Sequence, residues 1–467
     1  MLDELEAGPD DYVKVAIVDI DGVLRGKYLD KGKFLSATKS GFGFCNVVFG
    51  WDSSDQCYDN TTYTSWRSGY PDAEVRIDLS TFRRIPWEDD RPFVLGEFVA
   101  ADGAPLGVCP RQLLRQVIDR VADAGYEAKV GMEFEWFNFA ESPATLRDKG
   151  YRDLTPLTPG MFGYSILRSS QNQPFFDALL KDLRAFDVPL EGLHTETGPG
   201  VLEAAILYSD ALAAADRAVL FKSSAKEIGH RFGILPTFMA RWNTDLPGCS
   251  GHAHQSLWTI PSADGATDPS DPSGSAGPSD RGSTNAFFDP DDPRRMSDTF
   301  RSYLAGQLAL LPDILALLAP TVNSYKRLVD GFWAPTTPTW GVDNRTVACR
   351  VIPGSAGSTR LETRVPGSDV NPYLAVAACL AAGVWGIEQG LTLDAPETTG
   401  SGYVVEGVER LPRTLQEATA RLDASAPVRQ LLGDGFVDHY VATRQWEWRQ
   451  YADAVTDWEL ARYFEII

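Results

Sequence analysis

This sequence is short of basic residues for its length. Its 467 residues hold 43 Lys and Arg against 64 Asp and Glu, a formal net charge of −21. A nucleic-acid backbone would be repelled by that charge, and a polybasic membrane anchor is missing. No apolar run reaches the ~20 residues that cross a bilayer. The longest runs from Tyr373 to Ile387, is rich in Ala and Gly, and follows Asn371-Pro372, an N-cap with Pro at the first helical position. A buried core helix is expected there, and no membrane partner. The N-terminus, Met1-Leu-Asp-Glu-Leu-Glu, is acidic and shows no basic-then-apolar export pattern. Cys45, Cys57, Cys109, Cys249, Cys349 and Cys379 form no CxxC pair, which excludes a disulfide framework and a cysteine zinc site and fits a reducing cytoplasm. Also missing are the GxxxxGK[ST] loop, a GxGxxG ahead of a helix and the GxSxG elbow. Any ATP site is therefore of a less common kind.

What the sequence does contain is four polar sets in otherwise apolar surroundings. They are Glu133-Phe134-Glu135, Glu196 with Glu203, His252-Ala253-His254-Gln255-Ser256, and Glu362-Thr363-Arg364. In three of them the polar residues sit two apart, and residues i and i+2 of a strand share a face. Any one set read alone has a plain structural explanation: a solvated strand face, a buried ion pair, a satisfied core histidine. Together they place five carboxylates and histidine in one cavity, which requires cations. Hard oxygen donors fit magnesium, and divalent metal points to phosphoryl or acyl-phosphate chemistry. Arg327, Arg345, Arg350, Arg360 and Arg364 gather late in the chain and suit bidentate binding of carboxylate and phosphate.

The length implies two domains. The first hundred residues read as β-rich, with a hairpin around Asp19-Ile-Asp-Gly22 and extended segments at 74–78 and 92–98. Ala101-Asp-Gly-Ala-Pro105 is a linker, and the boundary is placed near 106: residues 1–105 form one domain and 106–467 the other. Helices near 110–124, 174–186, 209–230 and 297–318 alternate with the polar strands, which implies an α/β or α+β catalytic domain. Residues 261–284 are rich in Pro, Ser, Gly and Asp and are expected to be a mobile surface insertion.

In order along nearly the whole chain, these motifs resemble the glutamine synthetase family, in its type I-like and amine-glutamylating branches. The resemblance rests on Gly22-Val-Leu-Arg-Gly-Lys27, the Glu133/Glu135 strand, Glu196 with Glu203, Gly251-His-Ala-His-Gln-Ser-Leu257, Asn323-Ser-Tyr-Lys-Arg-Leu328, Asn344-Arg345 through Arg350, and Arg360-Leu-Glu-Thr-Arg364 ahead of Asn371-Pro-Tyr-Leu374. It implies a small N-terminal β-grasp domain, a larger catalytic α/β domain, and homo-oligomeric stacked rings, usually dodecamers, with active sites between subunits. It implies ATP and two or more Mg2+ (or Mn2+) as cofactors. Glu135, Glu196 and Glu203 would hold the metal beside the acyl substrate, and Glu133, His252 and Glu362 the metal on the phosphates. Arg327, Arg364 and Gly248 would bind the acyl substrate, and Arg345 would steady the transferring phosphoryl group. Arg350, Arg360, His254 and Ser256 would line the nucleotide side. The implied chemistry is ATP-dependent ligation of glutamate to an amine through γ-glutamyl phosphate.

The sequence departs from the family where the amine binds. Glutamine-forming members carry a glutamate soon after the NSYKRL motif, whereas here the run is Gly331-Phe-Trp-Ala-Pro335, so Trp333 takes that place. A large aromatic cannot act as a base but can pack on an alkyl or aryl group or over a cation. An organic amine is therefore expected in place of ammonia. Asp52 and Tyr164 resemble retained parts of the ammonium pocket. Val201 stands where the family has Gln, and Pro247-Gly248 where it has Asn-Gly, which leaves an acid related to glutamate open as acyl substrate. Two other functions stay open: a true glutamine synthetase in which Asp52 handles ammonium, and a non-catalytic ring-forming member.

Overall fold

The computed structural model describes residues 2–260 and 282–467. Most of the insertion expected at 261–284 lies outside the described residues. No helix among the described residues is long and apolar enough to cross a membrane.

The first five strands are β1 (Tyr12–Val18), β2 (Leu24–Asp30), β3 (Phe42–Cys45), β4 (Asp72–Ile85) and β5 (Arg91–Val99). They form one sheet in the order β2-β1-β5-β4-β3, with β1 and β5 parallel at its centre. The β1–β2 hairpin closes as its sequence dictates: Asp19 Oδ1 accepts from the amides of Asp21 (3.0 Å) and Val23 (2.8 Å), and Gly22 takes φ +80°. Helix Lys31–Ser40 packs Phe34 and Ala37 against Val13, Val15 and Ile17 of β1. A helix on one face of a sheet with a parallel central pair is the β-grasp arrangement.

The second sheet has nine strands: β6 (Tyr126–Phe139), β7 (Leu190–Thr195), β8 (Val201–Ile206), β9 (Ser209–Asp210), β10 (Leu235–Thr237), β11 (Gly251–Thr259), β12 (Trp340–Val342), β13 (Cys349–Ile352) and β14 (Arg360–Thr363). Its main path is β12-β13-β14-β11-β6-β8-β7, with β9 and β10 pairing the ends of β6. The period-two pattern of β6 sorts Val130, Met132, Phe134 and Trp136 into the core and turns Glu133 and Glu135 to the other face. Helices Pro110–Asp123, Ala211–Arg231, Asp298–Leu318 and Pro372–Glu388 supply that core, and Phe134 stacks on Phe221. The expected helix after Asn371 is present, with Asn371 Oδ1 capping the Tyr373 amide. Its Ala and Gly content has a packing cause. A Cβ on Gly386 would lie 2.2 Å from the Ser302 carbonyl, and one on Gly306 would lie 2.6 Å from Gly386 Cα. The two helices touch backbone to backbone.

The two sheets are joined by a buried charge network. Arg111 meets Asp216 through Nε and Nη2 (2.9 Å each), Glu97 of β5 at 2.6 Å and Asp78 of β4 at 2.7 Å. Tyr373 Oη also donates to Asp216 at 2.6 Å. One guanidinium thus ties the N-terminal sheet to two helices of the second domain.

Candidate active site

The site follows from strand register. Residues directly opposite on antiparallel strands have Cβ atoms about 4.5–5.5 Å apart. On the polar face, one row across the sheet reads Arg350 (β13), Glu362 (β14), His254 (β11). The next pairs His252 with Glu133 across β11 and β6. The third reads Glu135 (β6), Glu203 (β8), His194 (β7). Two carboxylates opposite each other repel and destabilise a sheet. A sheet that sets Glu135 against Glu203, with Glu196 nearby, must hold a proton or a cation between them.

These side chains wall a cavity of about 630 Å³, lined by Glu133, Glu135, Glu196, Glu203, His252 and Glu362, with Arg345, Arg350, Arg364, Tyr164 and Trp333 around them. Glu203 is pushed up to about 11 by burial and then by the charges of Glu133, Glu135 and Glu196. Burial likewise raises Glu135, although the Ser250 amide donates to its Oε2 at 2.6 Å. His252 is held down to about 4 by burial and by Arg364, so its imidazole is neutral at pH 7. Its Nδ1 lies 3.1 Å from Glu133 and 3.2 Å from Glu362. Buried Glu196 Oε2 and His252 Nε2 lack hydrogen-bond partners. Unpartnered buried donor atoms beside crowded carboxylates fit a divalent cation. Among the described residues, two groups bring three ligand atoms within 4.8 Å of one another: Glu133, His254 and Glu362, and His194, Glu196 and Glu203.

Glycine shapes one wall. A Cβ on Gly248 would lie 2.3 Å from the Ala240 carbonyl and 2.8 Å from Arg327 Cγ, so no larger residue fits between them. Trp333 and Tyr164, which also line the cavity, both have positive φ (62° and 56°) and are more than half exposed. That backbone is uncommon for bulky residues and holds both rings at the cavity mouth. Asp330 Oδ1 steadies the Trp333 loop by accepting from Thr336 Oγ1 (2.7 Å) and Arg410 Nη2 (2.8 Å). A second cavity of about 480 Å³ shares Glu133 and is lined by His254, Ser256 and Arg360. Arg360 Nε donates to His254 Nδ1 at 3.2 Å, which leaves His254 Nε2 directed at Glu133, 3.5 Å away.

Two expected positions differ. Arg350 was expected on the nucleotide side, but its pairing opposite Glu362 sets it in the first cavity, where Nη1 contacts Glu362 at 2.9 Å and Nη2 contacts Asp343 at 2.7 Å. Arg327 does not line the cavity. Its guanidinium is buried behind Glu135 and donates to the Val365 carbonyl (2.8 Å), Ser250 Oγ (2.8 Å) and the Arg364 carbonyl (3.2 Å). Asp52 is not among the residues that line this chain's own cavity. It closes its loop by accepting from the Ser54 and Gln56 amides (2.8 and 2.9 Å) and from Trp446 Nε1 (2.9 Å). The residue reading overlooked His194, Thr197 and Phe332, which line the cavity. His194 has the same two-residue spacing from Glu196 that singled out the other sets.

The pattern of the glutamine synthetase catalytic domain matches residues 107–463. The chain belongs to the glutamine synthetase family. It is 52% identical over 470 residues to "Type-1 glutamine synthetase 2" of Dictyostelium discoideum, covering all of this chain and 86% of that protein. It is 36% identical to a glutamate–isopropylamine ligase of a Pseudomonas species, over 98% of this chain and 95% of that one. It is 37% identical to gamma-glutamylethanolamide synthetase GlnA4 of Streptomyces coelicolor, over 98% and 94%. Among solved structures, a GmaS/ADP complex superposes with a TM-score of 0.82 at 26% identity, covering 99% of both chains. This family membership and the two-domain α+β architecture agree with the sequence reading.

Proposed function

We propose that this enzyme joins the side-chain carboxylate of glutamate to an organic amine at the expense of ATP. The observation that carries the amine assignment is Trp333, held at the cavity mouth at φ +62° in place of the glutamate of ammonium-using members. Two relatives, one named as a glutamate–isopropylamine ligase and one as a gamma-glutamylethanolamide synthetase, support an amine larger than ammonia.

Bound divalent metal would neutralise the carboxylates and polarise the phosphoryl and acyl oxygens. Glu196 and Glu203, with Glu135 alongside, would hold one ion, and Glu133, Glu362 and a histidine of β11 the other. His254, Ser256 and Arg360 line the smaller cavity, which suits the nucleotide. Arg345 faces the cavity between the two regions, where a fixed guanidinium stabilises charge on a phosphoryl group in transfer. The glutamate carboxylate attacks the γ-phosphorus of ATP and ADP leaves, giving γ-glutamyl phosphate, a good electrophile where a free carboxylate is a poor one; the protonated amine must lose one proton before it attacks and a second as phosphate departs. The amine then displaces phosphate. Trp333, Phe332 and Tyr164 pack on its carbon skeleton and exclude water. Arg364 faces the acyl end, and Arg327 braces Ser250 and the strand end behind Glu135. Asp52 faces away from its own cavity and is assigned to the site of a neighbouring copy in a ring assembly, with the division between domains near residue 106.

The test is phosphate release from ATP with glutamate across a panel of alkyl, hydroxyalkyl, polyamine and aryl amines. At least one organic amine should exceed ammonium by tenfold or more in kcat/KM. Equal or faster turnover with ammonium would assign a glutamine synthetase instead.

A further inference from the structure

The two aromatic residues of the cavity mouth are held in different ways. Phe332 is anchored through its side chain, because the Arg241 guanidinium lies over the ring at 4.6 Å. The indole of Trp333 makes no hydrogen bond, ring contact or cation contact among the described residues. Where that indole stands is therefore set by the backbone beneath it.

That backbone rests on residues 398–411. Leu411 N donates to the Thr336 carbonyl (2.9 Å), and Thr337 Oγ1 donates to the Gly402 carbonyl (3.3 Å). Arg410 reaches Asp330 at 2.8 Å, but both side chains are exposed and the pair contributes little. Tyr403 Oη is buried without a hydrogen-bond partner and lies close to the backbone amide of Trp333. The same residues hold the segment that carries Arg345. Asn344 Nδ2 donates to the carbonyls of Thr398 (2.9 Å) and Gly400 (2.8 Å), and Gly402 N donates to Thr346 Oγ1 (2.8 Å). Arg345 is thus fastened on both sides. The fit is backbone to backbone: a Cβ on Gly402 would lie 2.4 Å from the Thr346 carbonyl oxygen, and one on Gly341 2.6 Å from that of Thr398.

We infer that residues 398–411 are a positioning strap that ties the amine-selecting loop to Arg345, with Gly402 and Tyr403 as the residues through which it acts. The inference rests on the amine-ligase reading above. A loop tied to Arg345 keeps Trp333 over the acyl phosphate until the amine arrives. With the tie loosened, water enters. Its oxygen bonds the acyl carbon and the C–O bond to phosphate breaks. Phosphate leaves with the electron pair and takes one proton from the water, and the other proton goes to solvent. Glutamate is returned and one ATP is spent without an amide.

The test measures phosphate released per amide formed by the full-length enzyme with ATP, Mg2+, glutamate and its best amine. Wild type should give a ratio of about one. Gly402 does not have positive φ, so in G402A the added methyl acts by contact alone and pushes the strap from Thr346. Y403F removes the hydroxyl beside the Trp333 amide. Each variant should raise the ratio to about two or more and KM for the amine about fivefold, with KM for glutamate within about twofold of wild type. A merely structural role would lower kcat with the amount of folded protein and leave the ratio and both KM values unchanged. That result in either folded variant would overturn the inference. Should a variant not fold, hydrogen–deuterium exchange of the wild type decides. Binding of the amine with glutamate and a non-hydrolysable ATP analogue should protect 328–337 and 398–411 together, and protection of the first alone would overturn the inference. A wild type that forms no γ-glutamyl amide would overturn the ligase reading instead, and shows without any variant.

Discussion

The decisive choice at the residue scale is Trp333. Replacing it with glutamate restores an anionic group at the cavity mouth, so W333E should gain roughly tenfold in kcat/KM for ammonium and lose a similar factor for the organic amine. Steady-state kinetics with both nucleophiles checks this. Arg327 gives a second prediction. With its donors spent on Val365, Ser250 and Arg364 and Glu135 buried beside it, its loss uncovers a buried carboxylate. R327M should cost about 3–5 kcal/mol in chemical denaturation. A purely substrate-binding arginine would instead raise KM for glutamate without loss of stability. The carboxylate set was legible in the sequence because strand alternation is strictly two, so Glu133 and Glu135 share a face whatever surrounds them. The place of Arg350 was not, because it depends on which strand lies alongside, and cross-strand register has no local signature.

Helices with strong end signals were legible at the scale of elements. Pro110, Pro174 and Asn371-Pro372 mark helix starts near where the structure has them, at Pro110, Gln173 and Pro372. The helical segments after residue 410 were not assigned from the sequence. The longest, Asp434–Asp453, mixes Trp, Tyr and charge around its circumference, yet Phe436, Val437, Tyr440 and Val441 form its buried stripe. The short strands β12 and β13 have too few residues for a pattern. Close packing supplies the prediction here. Gly386 touches Ser302 and Gly306, so G386A must push two helices apart and should cost about 1–3 kcal/mol, measured as a lower denaturation midpoint with an unchanged slope.

For the whole molecule, helix Asp434–Asp453 clamps the N-terminal domain onto the catalytic domain. Arg444 pairs with Asp21 at 2.6 Å, the Ala442 carbonyl accepts from Asn60 at 2.7 Å, and Trp446 holds Asp52. His439 of the same helix is buried with its ring edge-on to Tyr63, 6.0 Å away. Burial and then Arg444 lower it to about 4. Unfolded, it titrates near 6.5, so its contribution is complete above that pH and is lost as pH falls toward 4. The loss amounts to about 3 kcal/mol. H439F should therefore flatten the pH dependence of unfolding between about 4 and 6.5 relative to wild type. The α+β character was legible in the sequence from the β-rich first hundred residues and the helix–strand alternation after them. This clamp was not, since it joins residues 382 to 423 positions apart. The central claim spans all three scales: a carboxylate site built for acyl-phosphate chemistry, with an aromatic mouth that chooses the amine. It is tested most directly by competition. The enzyme is given ATP, Mg2+, glutamate labelled with 18O in its side-chain carboxylate, and equal concentrations of ammonium and the best organic amine, and products are read by mass spectrometry. The account predicts 18O in the released phosphate and the glutamyl amide of the organic amine as the main product. Glutamine as the main product, or phosphate without the label, would contradict it.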